Sequence, residues 1–334
     1  MSAEYKLSYT ASEIDEKLAM VDTLATITNQ SNCLNAAHNQ VFKHISHRGY
    51  YVADSLAQNS IEALKASVLN GYNFIECDIS ITGYKSDFNA ETDNLLDAER
   101  QIIVKHDISF TGEDGVKTYY ANLPYSQCGK PVLFKDFLNQ AKAIGAYLYL
   151  DIKQIDKDIL GWGKEGDTTS ENIVNSYLRP IVETVENAGM MNNVTFMAAR
   201  TAYLSYIVSS NWLNRNNCRI AYVSESASTS SGESVDASYV INAINGLKAE
   251  NETSMLFLNM AFNNFTNELY EAIVSEGIDL EVWASSNYTE DDIQEIIAQY
   301  PKLKGITYNI PRGLVDKMGE AIINRFPAWQ GGSY

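Results

Sequence analysis

Short apolar runs alternate with segments of helical periodicity from about residue 41 to the end of the chain. The strand-like runs are VFKHIS, NFIECDISI, IIVKH, AYLYLDI, VTFMAA, RIAYVS, MLFLNM, LEVWAS and GITYNI. Between most of them lie amphipathic segments such as SIEALKASVLNG, NELYEAIVSEG and TEDDIQEIIAQY, whose apolar positions recur every three or four residues. The pattern predicts strands and helices in regular alternation.

Repeated β–α alternation favours a parallel sheet. It extends over nearly 300 residues without a change in composition, which favours one closed (β/α)8 TIM barrel over residues 41–334. Nine strand candidates exceed the eight positions of such a barrel, so we expect IIVKH to form a hairpin with the strand before it. A doubly wound open sheet is the main alternative, but no G-x-G-x-x-G follows the first strand.

Residues 1–40 have a different character and predict an N-terminal helical extension followed by a linker. Thr10 or Ser12 can cap a helix whose first turn is acidic. Apolar residues then follow at a spacing of three and four, at Ala11, Ile14, Leu18, Val21 and Ala25. This stripe suits either a helix that forms a homo-oligomer through residues 10–28 or a helix that packs on its own barrel.

The composition excludes several classes of partner. The 334 residues include 25 basic and 42 acidic side chains, a net charge of −17, which argues against nucleic acids and anionic membranes. An anionic ligand would therefore need a local metal ion or a few placed cations. The four cysteines form no C-x-x-C pair, so neither a disulfide framework nor a zinc site is indicated. No signal peptide and no membrane span is evident, and we expect a cytoplasmic protein by default.

Three segments interrupt the alternation. Residues 83–100 are acidic and partly resemble a calcium loop, but they lack its glycine at the sixth position and its closing glutamate, so a solvated insertion is favoured. Residues 107–135 form a long connection that could cover an active site. Residues 224–234 are of low complexity and indicate a flexible loop.

Side chains that can catalyse a reaction or bind a metal lie toward the ends of the predicted strands, where barrel enzymes place their reactive groups. They are His47, Arg48, Glu76, Asp78, His106, Asp151, Lys153 and Trp283. Glu76 and Asp78 are two residues apart in an apolar strand and therefore point to one side, where two buried carboxylates repel each other. A divalent cation bound through oxygen is the simplest remedy. His38 and His44 lack such neighbours and are interpreted as structural.

Five motifs in order carry a resemblance to a known family. HRG, QNSIEAL, GYNFIECDISIT, IIVKHD and LYLDIK resemble the signature of the glycerophosphodiester phosphodiesterases, which is His-Arg-Gly, Pro-Glu-Asn-Thr, Glu-x-Asp, His-Asp and Glu-x-Lys. The resemblance covers residues 43–153 well and continues more weakly through EVWASSN and GITYNIP. It implies a (β/α)8 barrel that hydrolyses glycerophosphodiesters to glycerol phosphate and an alcohol.

The resemblance also implies a role for each site residue. It makes His47 and His106 the acid/base pair, Glu76, Asp78 and Asp151 the ligands of a magnesium or calcium ion, Arg48 and Lys153 the phosphate-binding residues, and Trp283 the wall of the glycerol site. Several positions depart from the family pattern. Asp151 replaces the usual glutamate, AQNS keeps only Asn59 of Pro-Glu-Asn-Thr, and Asn309 replaces an aspartate. These differences bear on the substrate more than on the reaction.

The N-terminal LSYTASEIDEKL resembles short helical leaders of tail and appendage proteins of bacterial viruses. This resemblance implies an alternative, a virion component whose barrel binds or degrades polyglycerol phosphate polymers such as teichoic acids. A catalytically inactive binding module is a third hypothesis, and the intact His47, Glu76, Asp78 and His106 count against it.

Deletion of residues 1–40 should leave a folded barrel and lower the oligomeric state, because two heptads of apolar residues do not form a stable helix alone. Light scattering and circular dichroism of the full-length and truncated chains would measure both properties. A truncated chain that unfolds would place the helix in the core of the barrel instead.

Overall fold

The computed structural model describes residues 42–50, 56–69, 72–84, 94, 96–112, 115–155, 173–209, 219–224, 237–250, 255–262, 266–288 and 290–309. The predicted N-terminal helix, the oligomerisation segment 10–28, the linker, His38 and most of the 224–234 segment lie outside these residues. So does the larger part of the acidic insertion at 83–100.

Eight parallel strands form a closed barrel. They are β1 (Lys43–Ser46), β2 (Phe74–Ile81), β7 (Tyr147–Ile152), β8 (Val194–Ala198), β9 (Arg219–Ser224), β10 (Met255–Ala261), β11 (Asp279–Asn287) and β12 (Gly305–Asn309). Each pairs with the next, and β1 pairs with both β2 and β12, which closes the ring. The (β/α)8 barrel is confirmed, and the closure excludes an open doubly wound sheet.

Seven helices connect the barrel strands in the described part of the chain. They are α1 (Ile61–Leu69), α2 (Phe134–Ala143), α3 (Arg179–Asn187), α4 (Thr201–Ser209), α5 (Ala237–Glu250), α6 (Asn267–Ser275) and α7 (Glu290–Gln299). A π-helical turn, Val174–Leu178, precedes α3. Hydroxyl groups cap two of the helices, since Ser60 Oγ accepts the Ala63 N–H at 3.0 Å and Thr266 Oγ1 accepts the Leu269 N–H at 3.2 Å. None of the described helices is long and apolar enough to cross a bilayer.

The connection between β2 and α2 contains four short strands. β3 (Ile102–Val104) pairs antiparallel with the end of β2, and β6 (Val132–Leu133) pairs antiparallel with β3. β4 (Ser109–Thr111) and β5 (Lys117–Tyr119) form a separate hairpin. The prediction that IIVKH is a hairpin partner of the preceding strand is confirmed.

Along each barrel strand, successive side chains point alternately into the barrel interior and toward the surrounding helices. On β2, Ile75, Cys77 and Ile79 belong to the large apolar cluster between barrel and helices, whereas Phe74 packs inside. On β7, Tyr147 and Tyr149 share that interior cluster. All eight residues of β2 are buried, so its polar inward positions need partners inside the barrel.

A buried ion pair crosses the barrel interior. Lys43 Nζ lies 2.5 Å from Glu281 Oε1, and neither side chain is exposed to solvent. Tyr149 also donates a hydrogen bond of 2.9 Å to Glu281 Oε1. Burial lowers the pKa of Lys43, although Glu281 acts in the opposite direction. The contacts with Glu281 compensate for taking this ammonium group out of water.

Gly305 leaves the space that the ion pair requires. β12 lies between β1 and β11, and Gly305 is in register with both Lys43 and Glu281. A Cβ atom at Gly305 would lie 2.9 Å from the Lys43 carbonyl oxygen and 3.0 Å from its Cβ. The absence of a side chain at position 305 therefore lets Lys43 pass over β12 to reach Glu281.

Replacement of one partner of this pair should be strongly destabilising. Lys43→Met leaves an uncompensated carboxylate in the barrel, which typically costs about 3–5 kcal/mol of unfolding free energy. The double variant Lys43→Met/Glu281→Leu removes both charges and should be less destabilised than the single variant. Urea unfolding followed by circular dichroism measures both differences.

Lys304→Met serves as the matched control. Lys304 Nζ lies 3.8 Å from Asp279 Oδ1 at the surface, with both side chains more than 40% exposed. Surface pairs contribute at most about 1 kcal/mol. If the double variant were no more stable than Lys43→Met, the destabilisation would come from lost packing and not from the unpaired charge.

Candidate active site

The His-Arg-Gly triplet forms a tight turn directly after β1. Arg48 and Gly49 have φ angles of 57° and 75°, in the left-handed region. A Cβ at Gly49 would lie 2.9 Å from the backbone carbon of Ala63 on α1, so both the conformation and the contact require glycine. The turn directs the backbone N–H of Arg48 to Glu76 Oε2 at 2.9 Å. The triplet thus joins β1, α1 and β2 at the rim of the barrel.

Three carboxylates meet at this rim. Glu76 and Asp78 project inward from β2, and Asp151 projects from β7, where it is in register with Asp78. One oxygen from each of the three groups lies within 4.8 Å of the other two. Glu76 and Asp78 are almost fully buried. Burial and the negative charges of Asp78 and Asp151 raise the pKa of Glu76 well above its ordinary value.

The cluster has the chemistry and dimensions of a site for a hard divalent cation. Oxygens that share one Mg²⁺ or Ca²⁺ each lie about 2.0–2.6 Å from it and can therefore be up to about 5 Å apart. The separation within the cluster meets this limit. All three donors are carboxylates, the ligand type that both ions prefer. A divalent cation would also relieve the repulsion that raises the pKa of Glu76.

Two cations lie against the carboxylates. Lys153 Nζ is 2.6 Å from both Asp78 Oδ1 and Asp151 Oδ2, and Arg48 Nε is 3.3 Å from Asp78 Oδ2. Burial alone would lower the pKa of Lys153, but Asp151 and Asp78 raise it above its ordinary value. Burial alone would raise the pKa of Asp78, but Lys153 and Arg48 hold it below its ordinary value. The two cations therefore stabilise the ionised form of Asp78.

Asn59 links the loop after β1 to β2. Its side chain donates to Asp78 Oδ2 at 2.6 Å and accepts the backbone N–H of Asp78 at 3.1 Å. Its own backbone N–H donates to the Arg48 carbonyl at 2.9 Å, and its φ angle is 59°. Asn59 thereby fixes Asp78 relative to Arg48.

His47 is held in one orientation by Asn309 at the end of β12. Its Nδ1 lies 2.6 Å from Asn309 Oδ1. Because a carboxamide oxygen only accepts hydrogen bonds, the neutral ring carries its proton on Nδ1 and a lone pair on Nε2. Nε2 lies 3.9 Å from Glu76 Oε2. Burial and the positive charge of Arg48 lower the pKa of His47 to about 4, so the ring is neutral near pH 7.

His106 reaches the same place from the inserted segment. β3 runs back along the end of β2, and the N–H of Lys105 donates to the Asp78 carbonyl at 2.9 Å. This contact brings the next residue, His106, to the barrel rim. Its Nδ1 lies 2.9 Å from Asp107 Oδ1, an arrangement similar to that of His47 and Asn309.

A pocket of about 110 Å³ opens between these groups. Seven of the eight site residues predicted from the sequence line it, and the eighth, Asp78, lies in the carboxylate cluster. Trp283 on β11 is one of the seven, and its buried Nε1 has no hydrogen-bond partner among the described residues. The structure therefore brings the whole predicted set together.

Five further polar residues of the site have no role assigned from the sequence. In the sequence, Asn59 is a position where the family pattern is kept and Asn309 one where it is altered. Asp107 is part of the His-Asp motif. Asn259 and Thr307 line the pocket from β10 and β12. Their inward position on predicted strands was a usable signal. His44, predicted to be structural, faces the helices and lies 3.2 Å from the Tyr308 hydroxyl.

Comparison with known proteins gives similarity at the level of structure. No family model matches the chain, and no curated protein sequence matches it. A glycerophosphodiester phosphodiesterase from Parabacteroides distasonis superposes with a TM-score of 0.56 at 16% identity, covering 85% of this chain and 98% of that protein. A phosphodiesterase from Oleispira antarctica, solved in complex with the product sn-glycerol-3-phosphate, superposes with a TM-score of 0.57 at 12% identity, covering 86% and 99%.

At these identities the similarity establishes the fold. The comparisons lend no support to the resemblance between the N-terminal leader and viral tail proteins. The chain has the barrel of solved glycerophosphodiester phosphodiesterases over most of its length.

Proposed function

We propose that this protein is a metal-dependent phosphodiesterase that hydrolyses glycerophosphodiesters to glycerol phosphate and an alcohol. The observation that carries the proposal is the meeting of two oriented histidines and two cations in one pocket that borders the cluster of three carboxylates. The shared fold with solved phosphodiesterases, one of them bound to sn-glycerol-3-phosphate, supports it.

Arg48 and Lys153 are the proposed phosphate-binding residues. Both line the pocket, and both carry positive charge beside the carboxylates. A phosphodiester is an anion that repels nucleophiles, so positive charge on its oxygens is needed before attack. Trp283 is proposed to form the wall beside the glycerol part of the substrate.

Glu76, Asp78 and Asp151 are proposed to bind one divalent cation, magnesium or calcium. Such an ion would neutralise negative charge on the phosphate and polarise the phosphorus–oxygen bonds. Asp151 is one methylene shorter than the glutamate usual in the family. Its side chain lines the pocket and is partly exposed.

His47 and His106 are the proposed acid/base pair. Each ring has its Nδ1 bound by an oxygen of a neighbouring side chain, which leaves Nε2 available for proton exchange. One ring takes the proton from the glycerol hydroxyl group, which attacks the phosphorus and forms a cyclic phosphate, and the other gives a proton to the leaving alkoxide. Water then opens the cyclic phosphate to give glycerol phosphate. Asn309 and Asp107 are positioning residues in this scheme, because they fix the rings without contacting the substrate.

The direct test is incubation of the protein with glycerophosphocholine, glycerophosphoethanolamine and polyglycerol phosphate, with and without a chelator. Release of glycerol phosphate from the small diesters supports the proposal. Release from the polymer alone would favour the polymer-degrading alternative. If none of these diesters were hydrolysed with magnesium or calcium present, the proposed function would be wrong.

Chelation should abolish activity, and magnesium or calcium should restore it. The same ions should raise the thermal unfolding midpoint of the wild-type protein, because they relieve repulsion within the carboxylate cluster. Asp151→Ala should lose most of this shift, whereas Asp151→Glu should keep it. Asp279→Asn, at the opposite end of the barrel, is the control and should behave as wild type. Full activity in excess chelator would contradict the metal assignment.

His47→Ala and His106→Ala should each lower turnover by about 10²–10⁴-fold, the usual contribution of general acid–base catalysis. Because the two rings act as a unit, the double variant should be little worse than either single variant. Thermal unfolding measured alongside turnover separates catalytic loss from misfolding.

His44→Ala is the control for the histidine variants, since His44 lies on β1, the strand that directly precedes His47, but faces the helices. It should keep the turnover of the wild type per folded molecule. If His44→Ala were as inactive as His47→Ala, the assignment of the acid/base pair would fail.

A further inference from the structure

We propose that Asn259 and Thr307 are specificity-determining residues that bind the hydroxyl groups of the glycerol part of the diester, the part that stays on the phosphate in the product. The inference rests on the proposed function and deepens it. It selects a hydroxyl-rich alcohol such as glycerol over an aliphatic one.

The two residues lie inside the barrel on the wall formed by β10 and β12. Asn259 is 1% exposed and Thr307 is 3% exposed, and both line the pocket. Asn259 Oδ1 and Thr307 Oγ1 are buried and have no hydrogen-bond partner among the described residues. Within the described part of the chain, the Asn259 amide nitrogen makes a weak contact, 3.9 Å from Nδ2 to Met197 Sδ.

Deeper in the barrel, other polar side chains contact one another, although Glu281 Oε2 and Arg219 Nε have no hydrogen-bond partner among the described residues. Lys43 pairs with Glu281, and the Tyr147 hydroxyl lies 2.9 Å from Thr195 Oγ1. Buried polar groups of a folded protein are normally paired in this way. Polar atoms that stay unpaired and line a pocket are therefore poised to bind a ligand.

The available atoms define the chemistry of that ligand. The Asn259 oxygen accepts a hydrogen bond, the Thr307 hydroxyl can donate and accept, and the Trp283 Nε1–H donates. Thr307 and Trp283 are in register on neighbouring strands. Hydroxyl groups both donate and accept, so an alcohol with two of them can satisfy this set. A hydrocarbon chain would leave all three atoms unpaired.

The position of the wall fits this role. The carboxylates and cations of the pocket come from β1, β2 and β7 or the residues that follow them, whereas Asn259, Trp283 and Thr307 come from β10, β11 and β12. A phosphate held by Arg48 and Lys153 would leave its alcohol on the uncharged side of the pocket.

Binding of product analogues tests the inference without depending on turnover. We expect wild-type protein, with magnesium present, to bind glycerol 3-phosphate at least about tenfold more tightly than propyl phosphate, because loss of one good hydrogen bond typically costs about that factor. Titration calorimetry measures both affinities. Propane-1,2-diol 1-phosphate, which keeps one hydroxyl, should bind with intermediate affinity.

Variants with side chains of nearly the same shape then show which residues bind the hydroxyl groups. Thr307→Val and Asn259→Leu should each weaken glycerol 3-phosphate binding by about tenfold while propyl phosphate binding changes little. Thr195→Val, an interior threonine outside the pocket, is the matched control and should keep the wild-type preference. Circular dichroism confirms that each variant is folded.

The wild-type measurement decides the question even if a variant fails to fold. Equal affinity of the wild type for glycerol 3-phosphate and propyl phosphate would overturn the inference, and so would a preference that both folded variants retain. If diesters were still hydrolysed in either case, the proposed function would stand. A wild-type protein that bound neither phosphate would contradict both.

Discussion

The mutual repulsion of three carboxylates governs the arrangement of the active site. Glu76, Asp78 and Asp151 share a space within 4.8 Å, and water does not screen the two buried groups. Lys153 reaches two of them, Arg48 reaches one, and Asn59 holds Asp78 through two hydrogen bonds. Both local cations therefore contact Asp78, whereas the pKa of Glu76 stays raised.

The barrel is what brings these charges together. Parallel pairing of β2 and β7 sets Asp78 opposite Asp151, and the turn after β1 brings Arg48 against Glu76. Below the site, aromatic residues and the Lys43–Glu281 pair fill the interior, so the rim rests on a packed base. Strand register thus fixes the position of each charge. A loop alone would not hold the charges in place in this way.

The elements and inward positions of the barrel could be predicted from the sequence because they depend on local periodicity. Glu76 and Asp78 are two residues apart on one strand, and their shared side follows from that spacing alone. Other features depend on which strands become neighbours on closure. The bond from His47 to Asn309 spans 262 residues, and the passage of Lys43 over Gly305 to Glu281 joins three strands. The local pattern places Asn259 and Thr307 as polar residues at inward positions, but only the closed barrel brings both to the pocket.

The charge balance of the site explains how a chain with a net charge of −17 can receive an anion. Three ionised carboxylates against Arg48 and Lys153 leave one negative charge, which would repel a phosphodiester. A divalent cation held by the cluster would reverse this to one positive charge, which a phosphodiester monoanion then balances. Without the ion, burial and the negative charges of Asp78 and Asp151 raise the pKa of Glu76 well above its ordinary value. Under the proposed function, substrate binding would depend on the cation, because Arg48 and Lys153 already lie against the carboxylates.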